Sequence, residues 1–215
     1  MHLRVGFLFF LSGAAGLAYQ VTWSRSLGLV FGASHLAVTT VLTVFMAGHA
    51  LGGAWLGKQA DRAQRPLALY GWLELGVAGS ALAFLALLTV YPAFYRALSH
   101  VSAHPAYLTI VRTLFASAAL LVPTTLMGGT LPVLTRFATE SEGGFGRHLS
   151  LLYGYNTLGA VAGTLAAGFW LLPTRGVTRT LLVACGASVA VGGVALVLDR
   201  AVSRPTSQPA AHAEA

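Results

Sequence analysis

Two ionisable side chains stand where the sequence offers them little water. Glu74, in LYGWLELGVAG, is the only acid deep in an apolar segment, and Arg112, in YLTIVRTLFAS, is the most enclosed cation. A charge at mid-bilayer costs at least ~2.5–3.5 kcal/mol on insertion scales, so such residues pair, line a cavity that holds a ligand or a proton, or snorkel outward. Glu74 falls about a third of the way along its segment and Arg112 toward the opposite face, so a direct pair needs offset or tilted helices. Tyr19, Gln20, Tyr155 and Asn156 place polar groups in other apolar runs and are candidates to line a solute cavity together with Glu74.

The remaining chemistry is sparse. Six Asp and Glu in the whole chain leave little for acid–base work, and there is no phosphate loop, nucleotide fingerprint or Ser/His/Asp constellation. A single cysteine, Cys185, excludes an internal disulfide and a cysteine cluster; in its apolar run it reads as a small buried hydrophobe. His35 and His49 share a helix but lie about 21 Å apart at 1.5 Å per residue, too far for one metal. His100 and His104 are four apart with no acid beside them, a weak ligand set. No catalytic residue, metal or cofactor is assigned.

The elements that must position these residues follow from composition. Of 215 residues, 56% are hydrophobic and 9% charged, against about 25% charged in soluble domains. The chain therefore belongs in a lipid bilayer. Its net charge of +7 comes from basic residues scattered singly between apolar runs, the pattern of membrane topology and not of a nucleic-acid surface. Roughly 20 apolar residues cross the hydrocarbon core as a helix. Six stretches qualify: Val5–Trp23, Ser34–Leu56, Leu67–Val90, Tyr107–Leu134, Leu149–Leu172 and Val177–Leu198. The predicted fold is an all-α bundle over residues 1–200, with residues 201–215 a disordered cytoplasmic tail. The apolar run passes the small residues SGAAG without a polar cleavage region, so the first segment is kept as a helix and not a signal peptide.

Arg4, Lys58, Arg62, Arg65, Arg136, Arg147, Arg200 and Arg204 fall on one side of this topology, and Arg25, Arg96, Arg175 and Arg179 on the other. The excess puts both termini in the cytoplasm. Ser24–Gly32 reads as a re-entrant or interfacial turn, and Tyr91–Pro105 as an interfacial amphipathic helix. Glycines four apart, Gly28/Gly32, Gly48/Gly52, Gly53/Gly57 and Gly159/Gly163, predict close helix contacts within the bundle, with a dimer interface secondary.

The segment VPTTLMGGTLP puts Pro123, Gly128, Gly129 and Pro132 inside a spanning helix. Each proline removes a backbone bond that lipid cannot replace. A kink or unwound turn is expected, facing the bundle interior or its cytoplasmic end, with hydroxyls of Thr124, Thr125 and Thr130, or cavity water, on the freed carbonyls.

GKQADRAQRP, between the second and third helices, resembles the loop motif of major facilitator transporters at Gly57, Asp61, Arg62 and Arg65. That resemblance implies an aspartate at a helix N-terminus and charges that latch the cytoplasmic side; the plainer reading is a positive-inside loop with one incidental acid.

Three stretches together resemble a bacterial family, the membrane domain of spermidine synthase-like proteins, described as fused major facilitator/spermidine synthase. They are LSGAAGLAYQVTWSRSLGLVFGASHLAVTTVL, VPTTLMGGTLPVLTR and LLYGYNTLGAVAGTLAAGFWLLPTRG, spanning about Leu11 to Gly176. The resemblance implies a bundle like half of a major facilitator transporter in the bacterial inner (plasma) membrane. Gln20 stands where the family commonly has an acid, and the aminopropyltransferase domain of fused members has no counterpart in this chain. The first functional expectation is thus a membrane scaffold or accessory subunit. Its cytoplasmic C-terminus would serve a separate enzyme, or it would join a membrane complex. The second is a small transporter, completed as a homo-oligomer, for a polyamine or another polar or cationic solute. The third, an aminopropyltransferase in its own right, lacks its nucleotide-binding domain.

Overall fold

A computed structural model describes residues 2–31, 34–101, 104–142 and 145–202. They are almost entirely helical: α1 (His2–Phe31), α2 (Ser34–Ala60), α3 (Pro66–Val101), α4 (Pro105–Glu142), α5 (Phe145–Leu165) and α6 (Leu172–Val202), with one wider π-helical stretch, Ala166–Leu171, joining the last two. The expected tail from residue 203 onward lies outside the described residues, as do the side chains of Arg4, Arg147 and Arg204.

Large apolar side chains point outward as well as inward. Phe169 is 82% exposed and Leu29 70%, while Trp23, Tyr19 and Tyr70 are buried completely. Such an apolar outer surface suits lipid. Inside lipid, helices gain little from hiding apolar area from one another, so close backbone approach must hold them. The bundle is built on three such pairs. In α2–α4, a Cβ on Gly52 would sit 1.9 Å from the Thr125 carbonyl oxygen; in α1–α5, one on Gly163 would sit 2.0 Å from that of Ala14. In α3–α6, Gly71 and Gly192 meet, the Gly71 position being 2.9 Å from the Gly192 oxygen. Of the predicted glycine pairs, Gly48/Gly52 and Gly159/Gly163 form these seams, whereas Gly53 and Gly57 meet their neighbours only at ordinary distances, 3.7 Å or more.

Among the described residues, five uninterrupted stretches are long and apolar enough to cross a membrane, not the six expected, because Leu149–Ala201 is continuous. Its one non-helical residue is Gly176, at φ 72° and ψ 178°. The contacts show what happens there. Phe10 meets Gly159 and Ala14 meets Gly163, so α5 runs in the direction of α1. Ala68 meets Asp199, Gly71 meets Leu196 and Ala78 meets Cys185, so α6 runs against α3. From Gly163 to Cys185 the chain covers about 33 Å of helix, yet their neighbours on α1, Ala14 and Tyr19, are about 7.5 Å apart. The stretch folds back at Gly176. A backbone at this φ and ψ is accessible essentially to glycine alone.

Three other expectations change. Ser24–Phe31 continues α1 without a turn, and Tyr91–Val101 is not a separate helix but continues α3 through Pro92. α4 keeps α-helical structure through Pro123 and Pro132, with no unwound turn. The threonines bond within the helix: Thr124 to the carbonyls of Leu120 (2.7 Å) and Leu121 (3.1 Å), Thr125 to Leu121 (2.7 Å) and Thr130 to Met127 (2.7 Å). They do not take the Ala119 and Gly128 carbonyls that the two prolines leave without an i+4 donor. The predicted facing holds, for Pro123 and Gly129 are buried and Gly128 lies against the backbone of His49 on α2.

Candidate functional site

The loosely packed face of α4 opens a chamber. Its volume is about 1000 Å³, and its walls are α1, α2, α4 and α5. It runs from Asp61, Arg136 and Thr139 at one end of the bundle to Phe45 and Leu17 deep inside. Gly53 and Gly57 of α2 and Gly128 and Pro132 of α4 line it. Small residues that form the α2–α4 seam on one side thus leave room on the other.

Besides Asp61, Arg136, Tyr153 and Asn156, the wall carries four hydroxyls that share one property. Ser12, Thr130, Thr135 and Thr139 give their protons to acceptors inside the protein: Ser12 to Glu74, Thr130 to the Met127 carbonyl (2.7 Å), Thr135 to that of Leu131 (2.8 Å), Thr139 to that of Thr135 (2.8 Å). His49 Nδ1 lies 2.9 Å from the Phe45 carbonyl, which makes Nδ1 the donor and leaves Nε2 an acceptor. With these protons committed, what the wall offers from these groups is lone pairs. The Gly128 carbonyl, which Pro132 cannot bond, adds another beside Gly53.

Glu74 stands behind that wall, 2% exposed. Ser12 connects the two, since it lines the chamber and donates to the Glu74 carboxyl. Tyr70, one turn before Glu74 on α3, and Ser188 of α6 face the same carboxyl. Tyr19 of α1 is next to Ser188 and Cys185 and stacks on Trp23 at 5.4 Å. The hydroxyls of Tyr19 and Tyr70 are buried without a hydrogen-bond partner.

Arg112 is elsewhere. Its guanidinium lies 4.4 Å over the Tyr95 ring and donates to the Tyr95 hydroxyl. Tyr95 is about 31 Å along α3 from Glu74, so the acid and the cation do not pair. Of the other predicted polar residues, Asn156 lines the chamber against Gly13, Tyr155 packs its ring on Gly6, and Gln20 is half-buried on α1. Tyr19 and Glu74 share one cluster and Asn156 lines the chamber beside it; Arg112 joins neither.

The loop motif is rearranged too. The Asp61 side chain is 79% exposed, its carboxyl is 4.0 Å from Arg136, and its backbone carbonyl accepts a bond from the same guanidinium. Arg62 is exposed. Arg65 does latch the bundle, but onto Asp199 at the end of α6, through Nε at 2.8 Å and a second, shorter contact. Asp199 Oδ1 also accepts the Ala68 backbone N–H at 3.2 Å. That N–H is one of the donors the first turn of α3 leaves without an intrahelical partner, so Asp199 caps α3 from another helix.

Sequence reasoning passed over Ser12, Tyr70, Ser188 and Asp199. Ser12 and Ser188 carry no signal apart from apolar surroundings. Tyr70 sits at i−4 from Glu74, a spacing that puts both on one face. Asp199 closes an apolar run and reads as a helix end.

No protein-family model, curated protein or solved structure matches this chain.

Proposed function

We propose that the chain is a six-crossing membrane protein that binds a small polar amine in its chamber and carries it across the bilayer, with a second copy completing the pathway. On this reading α5 and α6 are separate crossings reversed at Gly176, and both termini face the cytoplasm of a bacterium. The bundle resembles half of a major facilitator transporter and is related to the membrane domain of spermidine synthase-like proteins, three of whose segments the sequence resembles. The observation that carries the function is the direction of the hydrogen bonds around the chamber: the Ser and Thr protons point into the protein. Between the Arg136 guanidinium at one end and the Asn156 amide, these hydroxyls and the Gly128 carbonyl present acceptors, which suits a ligand that donates, and an ammonium donates from every proton it has. A linear polyamine is the chemical class that fits this wall and the family resemblance together.

The test is uptake of radiolabelled spermidine into proteoliposomes. Gly53→Leu fills the chamber, while the nearest atom to a Cβ there is 3.8 Å away, so the seam should stay closed. Uptake above protein-free vesicles that falls at least tenfold in Gly53→Leu supports the reading. Uptake no greater than in protein-free vesicles, or unchanged in Gly53→Leu, overturns it.

The scaffold reading has its own support in the exposed Lys58, Arg62 and Arg200, which make the latched end basic around the Arg65–Asp199 pair. Such a rim suits an acidic cytoplasmic subunit. Salt-sensitive co-purification of one stoichiometric partner would establish it, and a chain that purifies alone at low salt would rule it out.

A further inference from the structure

We propose that the Glu74 carboxyl and the hydroxyls of Ser12, Tyr70 and Ser188, brought together from α1, α3 and α6, form a binding site for a dehydrated sodium ion. Glu74 is buried at 2% exposure, and the groups that act on its carboxyl are Ser12, Ser188 and Tyr70, with no cationic side chain among them. Arg65 is engaged with Asp199, and Arg112 with Tyr95 about 31 Å along the helix. A buried carboxylate without a counter-charge is expensive in a bilayer; a proton or a monovalent cation restores neutrality, and the oxygen-rich surroundings are what point to the cation. A divalent ion would leave one positive charge buried in its place.

The ligand set agrees. One carboxylate and several hydroxyl oxygens are hard donors, suited to an alkali or alkaline-earth cation and not to a transition metal. Among the described residues no group of three or more His, Cys, Asp or Glu could hold a metal ion. The second observation is the state of the tyrosines. Tyr70 and Tyr19 are fully buried, and although the Tyr70 hydroxyl faces Glu74 and Ser12 and that of Tyr19 faces Ser188 and Cys185, neither completes a hydrogen bond of good geometry. Buried tyrosine hydroxyls ordinarily find partners. A cation held against Glu74 gives the Tyr70 oxygen one, and Tyr19 stands behind as a further donor. Helices α3 and α6 approach closely at Gly71 and Gly192, one turn from Glu74 and Ser188, and a site held between them this tightly would take sodium in preference to the larger potassium ion. Ser12 belongs to this site and to the chamber wall at once. Ion occupancy therefore sets the orientation of a hydroxyl that faces the chamber.

The site stands independently of what passes through the chamber, so its test reads the ion. Full-length protein in detergent is titrated with ²²Na⁺ by scintillation proximity at constant ionic strength in choline chloride. Saturable binding is expected, displaced by unlabelled NaCl at concentrations at least tenfold below those needed with KCl. Glu74→Gln should lose affinity at least tenfold. Tyr70→Phe, which removes one oxygen and keeps the ring, should lose several-fold with its helical circular dichroism and cooperative melting intact. Absence of saturable binding in the folded wild-type protein, displacement by potassium as readily as by sodium, or full affinity in a folded Tyr70→Phe and Glu74→Gln pair overturns the proposal.

Discussion

Gly52→Ala tests whether backbone contact holds this bundle. The new Cβ would lie 1.9 Å from the Thr125 carbonyl oxygen and 3.0 Å from Gly128 Cα. An ordinary contact is about 3.2 Å or more, so α2 and α4 must part by roughly 1 Å along the seam. A gap of 0.5–1 Å forfeits about a quarter to a half of each dispersion contact, worth ~0.1–0.2 kcal/mol per atom pair. If about 40 atom pairs are affected, the loss is ~2 kcal/mol, within the ~1–3 kcal/mol typical of overpacking. Helix propensity opposes this by ~1 kcal/mol, since alanine is the better helix former. A net loss of ~1 kcal/mol or more is expected, and Gly163→Ala should match it, the Cβ there meeting the Ala14 oxygen at 2.0 Å. Gly154→Ala is the control, with nothing within 4 Å, and should be neutral or stabilising. The assay is reversible unfolding in mixed micelles with increasing SDS mole fraction, followed by circular dichroism. If Gly52→Ala and Gly163→Ala unfold at the same SDS fraction as Gly154→Ala, the seams do not hold the fold and the reasoning fails.

Asp199→Ala should destabilise by ~2 kcal/mol in the same assay, about half from the lost cap on Ala68 and half from Arg65. Asp199→Asn, which keeps the Oδ1 acceptor, should lose only about half as much; equal losses would mean that Asp199 does not cap α3. Gly176→Ala forces a Cβ onto a backbone that excludes it and should cost ~1–3 kcal/mol, although nothing lies within 4 Å of the new atom. A neutral Gly176→Ala would place the reversal elsewhere. Pro132→Ala gives the Gly128 carbonyl its helical donor again; stability should hold or rise while spermidine uptake falls several-fold, and unimpaired uptake would remove that carbonyl from the chamber's binding surface.

How far the sequence could be read depended on whether a feature is set by one helix or by two. The helices themselves are long apolar runs, and the first residues of α1 to α5 were legible to within about four positions. Their far ends were not, because Ser24–Phe31 and Tyr91–Val101 carry polar groups that fit an interface and a helix equally. The burial of Glu74 and the closeness of Gly48/Gly52 and Gly159/Gly163 followed from local types. Partner choice did not. Glu74 lies against Ser12 and Ser188 because α1 and α6 both pack on α3, and Arg65 finds Asp199 in place of Asp61 because α6 returns beside the start of α3. Both facts depend on the reversal at Gly176, a single glycine among 25 in the chain.

The same dependence explains the Pro–Gly segment of α4. Prolines there do not unwind the helix; Thr124, Thr125 and Thr130 bond to helix carbonyls other than the two freed ones, and α2 packs on the Gly128 face. What proline changes is which carbonyl is left over. Pro132 leaves that of Gly128, and Gly53 opposite has no side chain to cover it. Replacing these residues with alanine or leucine throughout would give a better helix but would push α2 away, since a Cβ at Gly128 meets the His49 carbonyl oxygen at 2.4 Å. On this view the composition of the segment follows from two opposed requirements on one helix: contact close enough to hold α2 without hydrophobic force, and an acceptor left open to whatever occupies the space between them.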